Sequence, residues 1–275
     1  MLDLYGGSTI GTNHLKTKDM LIGINNQDNH VIVNSENIKI GIVCDGCSSG
    51  ENCEFGSFLG SKIIATLLMF ELNGIESLTV EKMNEILQKI QKKLLYHLEM
   101  MTEFVGYKPL FFTILGVVIL KEKTFIFGCG DGVYGLREVG KDLAITVLDQ
   151  NNKPTYVAYN ILFETNHVIS VKECVNTEDL ECMFIGSDGI HDFIKKQGVC
   201  LPGKISHVMD IEDFISDCKY KQNRTIDAYL KRLNLDCTID NVYHPGLLPD
   251  DTTIIIGRIA NEGKMQKQDD NSQSQ

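Results

Sequence analysis

Five segments of the sequence place an aspartate where an apolar run ends or beside a glycine in a tight turn. They are NQD at 26–28, CDG at 44–46, GDG at 130–132, SDGIHD at 187–192 and PDD at 249–251. A single Asp before Gly is usually a turn former or a helix cap. Carboxylates at several strand ends, however, can meet at one edge of a sheet, where they repel each other unless a cation lies between them. The recurrence therefore favours a site for a hard divalent ion, Mg²⁺ or Mn²⁺ rather than zinc.

Composition and hydropathy argue against a nucleic-acid-binding protein and against a membrane protein. The chain has 26 Lys+Arg against 37 Asp+Glu and a formal net charge of −11, with no basic cluster of the kind that binds nucleic acid. Its start lacks the basic and apolar regions of a signal peptide, and apolar runs such as 111–120 are too short to span a membrane. We therefore expect a cytoplasmic protein with no nucleic-acid or membrane partner.

The nine cysteines are irregularly spaced, which favours reduced thiols in a reducing compartment. Cys44 and Cys47 form the single CxxC of the sequence. A zinc or redox role for this pair stays open as the minor alternative, because neither a second CxxC nor paired histidines accompany it.

Apolar periodicity predicts a mixed α and β chain. β-branched runs at 30–34 and 38–44 predict a hairpin, and spacings of three and four predict helices over 52–72 and 80–101, the second capped by Thr79. Further strands are predicted at 110–120, 124–129, 133–137 and 143–148 as an antiparallel meander, then at 168–172, 182–186 and 252–259, with helices at 211–220 and 225–233. We predict one domain over 1–260 and a disordered polar tail over 261–275.

The five aspartate segments, in this order and with two long helices after the CDG turn, resemble the type 2C (PPM) metal-dependent protein phosphatase family. The resemblance covers roughly residues 8–260, and the stretch IGTNHLKTKDMLIGINNQD is similar to a bacterial branch of that family. It implies an α+β fold with a central β-sandwich of two antiparallel sheets flanked by helix pairs. It also implies a phosphoserine and phosphothreonine phosphatase that uses two, or three, Mg²⁺ or Mn²⁺ ions and a water that bridges two of them.

The same resemblance implies a role for each aspartate. Asp45 would bridge two ions, with the Gly46 carbonyl as a further ligand, while Asp188 and Asp250 would hold the first ion. Asp28 would lie on the side of the second ion, acting through a water. Asp131 and Asp192 match the aspartates that bind a third ion; the spacing of Asp192 from Asp188 also predicts that both lie on one face of a helix turn.

The sequence departs from the family pattern at several positions. Where the best-known members have an arginine that holds the substrate phosphate, this chain has Gly23, so we consider His14 or Lys16 as its replacement. Asp251 stands where the family usually has Asn. The alternatives are a catalytically weak or inactive member that binds a phosphorylated partner, and a metal-stabilised interaction module without chemistry. We expect a monomer whose partner is a phosphoprotein substrate.

Overall fold

The computed structural model describes residues 2–15, 25–151 and 153–259. The strands are β1 (Leu2–Thr9), β2 (Asn29–Asn34), β3 (Lys39–Cys44), β4 (Ile114–Ile119), β5 (Lys123–Cys129), β6 (Gly132–Glu138), β7 (Ala144–Leu148), β8 (Ser170–Asn176), β9 (Leu180–Gly186), β10 (Cys237–Ile239), β11 (Val242–His244) and β12 (Thr252–Ile259). The helices are α1 (Thr12–Leu15), α2 (Cys53–Leu72), α3 (Val80–Val105), α4 (Tyr159–Leu162), α5 (Gly189–Lys195), α6 (Ile211–Ser216) and α7 (Asn223–Asn234).

Ten of the strands form two five-stranded sheets. One has the order β1-β12-β9-β6-β7 and the other β2-β3-β4-β5-β8, while β10 and β11 pair separately. All neighbouring strands are antiparallel. The expected α+β sandwich of two antiparallel sheets with flanking helices is confirmed.

The central strands are buried on both faces, which explains their continuous apolar runs. In β3, Ile40, Ile42 and Cys44 belong to the core under α2 and α3, whereas Val43 belongs to the core between the sheets. Alternate residues of a strand point to opposite faces, so one strand serves both layers. The second sheet repeats the pattern, because Phe184 packs towards α5, α6 and α7 and its neighbour Ile185 packs between the sheets. The layers are therefore helix, sheet, sheet, helix.

Helix α2 lies close to the loop that precedes β4. A Cβ placed on Gly60 would be 2.3 Å from the ring of Phe112, so only glycine fits at this contact. Within the described ranges, α2 alone has the length and apolar composition to cross a membrane, yet nearly half of it is buried against the rest of the protein. Core helices commonly have this composition, and the apolar face of α2 is used in the core.

Several local predictions are confirmed by the structure. The β2–β3 hairpin forms, α2 and α3 begin within a residue of the predicted positions, and the Thr79 hydroxyl accepts from the Lys82 amide at 3.3 Å. Strand β1, the short helices α1 and α4, and the β10–β11 hairpin were not predicted.

Two predictions in the middle of the chain are wrong. The strand expected at 110–120 starts only at Ile114, because residues 108–110 form a 3₁₀ turn. The predicted meander is broken, since β5 and β6 belong to different sheets. Gly130 and Gly132 have φ of 102° and 143°, which L side chains rarely adopt, and this backbone lets the chain cross from one sheet to the other. The predicted tail at 261–275 lies outside the described residues.

Candidate metal centre

Strand register brings the first two aspartates to the same end of the sandwich. Asn29 pairs with Cys44 at the last rung of the β2–β3 ladder, so Asp28 and Asp45 are the next residues beyond that rung on either strand. The amide of Thr113 donates to the carbonyl of Asp45 at 2.8 Å, which ties this end of β3 to the start of β4.

The remaining aspartates reach this end from the other strands. Asp131 lies in the crossover between β5 and β6, and Asp188 follows the last residue of β9, Gly186. Gly186 pairs with Val133 of β6 on one side and with Ile254 of β12 on the other, so the end of β9 lies beside the starts of β6 and β12. Asp188 follows β9, while Asp131 precedes β6 and Asp250 precedes β12, so all three lie at the same edge of this sheet. Asp192 lies in α5, one turn after Asp188.

Electrostatic coupling shows that the carboxyl groups are close to one another. Burial raises the pKa of Asp45 well above its usual range, and the charges of Asp28, Asp188, Asp250 and Asp131 raise it further. These five carboxyls therefore lie within Coulombic range of one position. Each charge disfavours ionisation of the others, and a cation between them would remove that penalty.

Asp188 and Asp250 show the same effect. Burial raises the pKa of Asp188 to about 6, with further contributions from Asp250 and Asp131 and with a hydrogen bond from Asp45 acting in the opposite direction. Asp192 adds to the shift of both Asp188 and Asp250, so it belongs to the same electrostatic cluster. The six aspartates singled out in the sequence thus belong to one electrostatic cluster.

Asp28 is the most buried member of the cluster, at 6% exposed. Burial raises its pKa to about 8, assisted by the charge of Asp251. Its Oδ2 accepts from the Ser187 hydroxyl at 2.7 Å, while its Oδ1 is buried without a hydrogen-bond partner. A buried carboxylate oxygen without a partner is unfavourable and points to a missing ligand. This orphaned oxygen and the all-oxygen donor set fit a hard divalent ion, reached directly or through water.

The fit concerns the type of donor and not a completed coordination shell. In residues 2–15, 25–151 and 153–259, no group of three or more His, Cys, Asp or Glu side chains is arranged so as to hold a metal ion. The carboxyls are gathered at one end of the sandwich, but their oxygens do not converge on a single point. Mutual repulsion of carboxylates without a cation between them is the physical reason to expect such spacing.

Asp251 has a different role from its neighbour Asp250. It is 2% exposed, and its Oδ1 accepts from the Gly11 amide at 2.7 Å while Oδ2 accepts from the Gln27 amide at 2.6 Å. His14 Nδ1 lies 2.9 Å from the same Oδ1. Asp251 therefore holds the segments around residues 11–14 and 27 against the start of β12. Reasoning from the sequence missed this role, although the change from the usual Asn was visible.

The two candidates for phosphate binding have different outcomes. His14 is buried at 7% exposed, and its Nδ1 is engaged by Asp251; the hydrogen bond with Asp251 raises the pKa of His14 while burial lowers it. A role for His14 towards phosphate stays a prediction. Lys16, and Gly23 at the position of the family arginine, lie outside the described residues.

Ser187 also escaped notice in the sequence. Its hydroxyl donates to Asp28 Oδ2 and accepts from the Thr253 amide at 3.0 Å, so it links β9, β12 and the NQD segment. The signal was its position, between the end of β9 and Asp188.

The CxxC cysteines point to different surroundings. Cys44 is fully buried in the core under α2 and α3, whereas Cys47 is half-buried with its Sγ 3.2 Å from the Ser49 hydroxyl. Because Cys44 packs in an apolar core, the pair does not form one side of an open metal site.

Comparison with known proteins gives the family. The sequence profile of the family described as Protein phosphatase 2C matches residues 10–225, most of the chain and all but one of the aspartate segments. The chain belongs to the protein phosphatase 2C family. A search of curated proteins gave no significant match.

Solved structures of bacterial proteins share the fold of this family member at low sequence identity. The serine/threonine phosphatase Stp1 from Staphylococcus aureus is 14% identical with a TM-score of 0.59, and the alignment covers 96% of each chain. The S. agalactiae serine/threonine phosphatase is 15% identical with a TM-score of 0.57, covering 94% of this chain and 100% of that one. PppA of Pseudomonas aeruginosa, described as a regulatory component of its T6SS, is 14% identical with a TM-score of 0.56, covering 94% and 97%.

Proposed function

We propose that this member of the protein phosphatase 2C family is a Mg²⁺- or Mn²⁺-dependent phosphoprotein phosphatase that hydrolyses phosphoserine and phosphothreonine. The observation that carries the proposal is the gathering of six aspartates, from five separate segments, at one end of the sandwich. The raised pKa values of five carboxyls and the orphaned Asp28 oxygen support a site that cations neutralise; the five are Asp28, Asp45, Asp131, Asp188 and Asp250. Family membership supports the class of reaction.

In this proposal Asp45 would be a ligand of both ions with the Gly46 carbonyl as a further ligand, Asp188 and Asp250 would be further ligands of the first, and Asp28 would act on the second through a water. Two divalent ions bound there would lower the pKa of a shared water and neutralise the charge that develops during in-line displacement at phosphorus. Asp131 and Asp192 would hold a third ion. Ser187 keeps the Asp28 carboxyl in place, and Asp251 keeps the NQD segment against β12.

The test is release of phosphate from phosphoserine and phosphothreonine peptides, with Mn²⁺ and with chelator. We expect Mn²⁺-dependent turnover, and a fall of at least about a hundredfold in Asp45→Asn because the change removes the negative charge of the one carboxylate that would bind both ions. Asp142→Asn, at an exposed aspartate between β6 and β7, is the matched control and should retain full activity. Equal turnover in Asp45→Asn and in the unaltered protein would contradict the site.

A second candidate function is a phosphoprotein-binding member with weak or no turnover. Gly23, at the position where the best-known members have the phosphate-binding arginine, favours it. This candidate predicts that phosphopeptides bind in the presence of Mn²⁺ and that no phosphate is released. The same assay, combined with a binding measurement, separates the two.

The proposal extends to partners and compartment. As a family member the protein would act on phosphoprotein substrates. We further propose that it works as a monomer in the cytoplasm, which gel filtration with light scattering and cell fractionation would test.

A further inference from the structure

A connected set of aromatic rings extends from the candidate metal centre to solvent. Phe111 stacks on Tyr156 with ring centroids 5.6 Å apart, and Tyr159 lies edge-on to both rings at 5.3 and 5.2 Å. Tyr107 contacts Phe111 at 6.2 Å, and Phe163 contacts Tyr159 at 5.4 Å. We call these five residues the aromatic surface.

The inner end of the aromatic surface adjoins the aspartate cluster. The Cys47 amide donates to the Phe111 carbonyl at 2.9 Å, and Cys47 follows Asp45 and Gly46 directly. Tyr156 follows Thr155, whose carbonyl accepts from the thiol of Cys129, the residue before Gly130 and Asp131. The rings therefore lie beside both the CDG and the GDG segments.

The outer end of the aromatic surface is exposed to solvent, whereas the inner end is buried. Tyr156 is 5% exposed, but Tyr107 is 51% and Phe163 is 64% exposed. Large exposed aromatic residues that continue a packed cluster are typical of binding surfaces, because each ring can bury a large area with little loss of side-chain entropy.

Because the aromatic surface adjoins the candidate metal centre, we take the phosphopeptide substrate as its occupant. A phosphopeptide whose phosphate reached the aspartate cluster would extend along the chain on either side of the phosphorylated residue, at about 3.3–3.6 Å per residue. A side chain two or three positions away would then be level with the rings. We propose that the aromatic surface binds a large apolar side chain of the substrate, two or three residues from the phosphorylated residue, and so determines which phosphoproteins are hydrolysed.

This inference rests on the proposed function, and it is tested with matched phosphoserine peptides that carry Phe or Ala at each position from three before to three after the phosphoserine. We expect KM to be about tenfold lower for Phe than for Ala at one or two of these positions, with kcat little changed, because a site beside the reacting group adds binding and not chemistry. The Phe163→Ala/Tyr107→Ala protein should lose that preference. Phe70→Ala, which removes an 81% exposed phenylalanine near the opposite end of α2, should keep it.

Four results would overturn the inference. One is equal KM for all peptides in the unaltered protein, and another is an unchanged preference in the double variant. The third is a fall in the double variant's hydrolysis of a small aryl phosphate that equals its fall with the Phe peptide. That result would mean that the rings stabilise the metal centre and do not bind the peptide. A dimer that the double variant dissociates would assign the surface to a second copy, and would also overturn it.

Failure of the proposed function is distinguishable from failure of this inference. If Mn²⁺-dependent hydrolysis of aryl phosphate is absent from the unaltered protein, the phosphatase proposal fails. Fluorescence anisotropy with the same labelled phosphopeptides then measures Kd in place of KM. A lower Kd for Phe peptides, lost in the double variant, would still support the aromatic surface as a docking site, and equal Kd values would not.

Discussion

Asp251→Asn gives the sharpest test of how local chemistry determines this site. The family usually has Asn at this position, so the family pattern alone predicts a neutral substitution. The structure predicts the opposite, because the Asp251 carboxyl receives only donors: the amides of Gly11 and Gln27 at 2.7 and 2.6 Å, with His14 Nδ1 at 2.9 Å. An Asn side chain has one acceptor atom and an NH₂ group that would face at least one of these amides.

The expected loss in free energy of unfolding is worked out from the more favourable of the two orientations of the new side-chain amide in Asp251→Asn. If the Asn oxygen keeps the Gly11 side, the Gln27 amide loses a bond to a charged acceptor and faces a donor in a buried site. A hydrogen bond to a charged group contributes about 1.5–3 kcal/mol, and leaving a buried donor unsatisfied adds to the loss. We expect the free energy of unfolding to fall by about 3 kcal/mol, roughly 6–12 °C in Tm for a domain of this size.

The assay is thermal and urea unfolding of metal-free protein in chelator, so that ion binding does not contribute, together with hydrogen exchange of the backbone amides. The Gln27 amide should lose its protection in Asp251→Asn, while Asp142→Asn should match the unaltered protein. A change in unfolding free energy below about 0.5 kcal/mol, within the range of an ordinary surface substitution, or full protection of Gln27 in the variant, would refute the reasoning.

Three further outcomes are expected. Mn²⁺ at about 100 times its Kd should stabilise the protein by about 2.7 kcal/mol, measured as a rise in Tm that Asp45→Asn loses; an equal rise in both proteins would place the ions elsewhere. Ser187→Ala should reduce the unfolding free energy by about 1–3 kcal/mol, because the Asp28 carboxyl loses its 2.7 Å donor in a buried site; urea unfolding measures it, and no change would contradict the contact. Gly60→Ala should destabilise by about 1–3 kcal/mol through its clash with the Phe112 ring, and unaltered thermal stability would show that the ring yields.

The sequence predicted the hairpin and the long helices because local periodicity determines them. It misjudged the connection at Gly130–Gly132, because apolar strands buried on both faces show no alternation that says which sheet they join. The consequence reaches the site: a continuous meander would keep Asp131 in a hairpin within one sheet. The crossover instead puts it between the sheets' ends, within Coulombic range of Asp188 and Asp250.

Asp250 and Asp251 show why the candidate site was predicted only in part. The two residues are chemically identical and adjacent; the family resemblance assigned Asp250 to the first ion but gave no role to Asp251. Their surroundings differ: Asp251 receives two buried backbone amides, one on each oxygen, which satisfy a carboxylate without any cation. Asp250 accepts one backbone amide, that of Asp251 at 2.8 Å, and burial and the charges of Asp251 and Asp192 raise its pKa. Hydrogen bonds from backbone amides stabilise a carboxylate without a bound ion, whereas a carboxylate close to other negative charges is stabilised when a cation binds between them. The sequence places both at the end of the sandwich, and the amides of residues 11 and 27 decide which of them is left for a ligand.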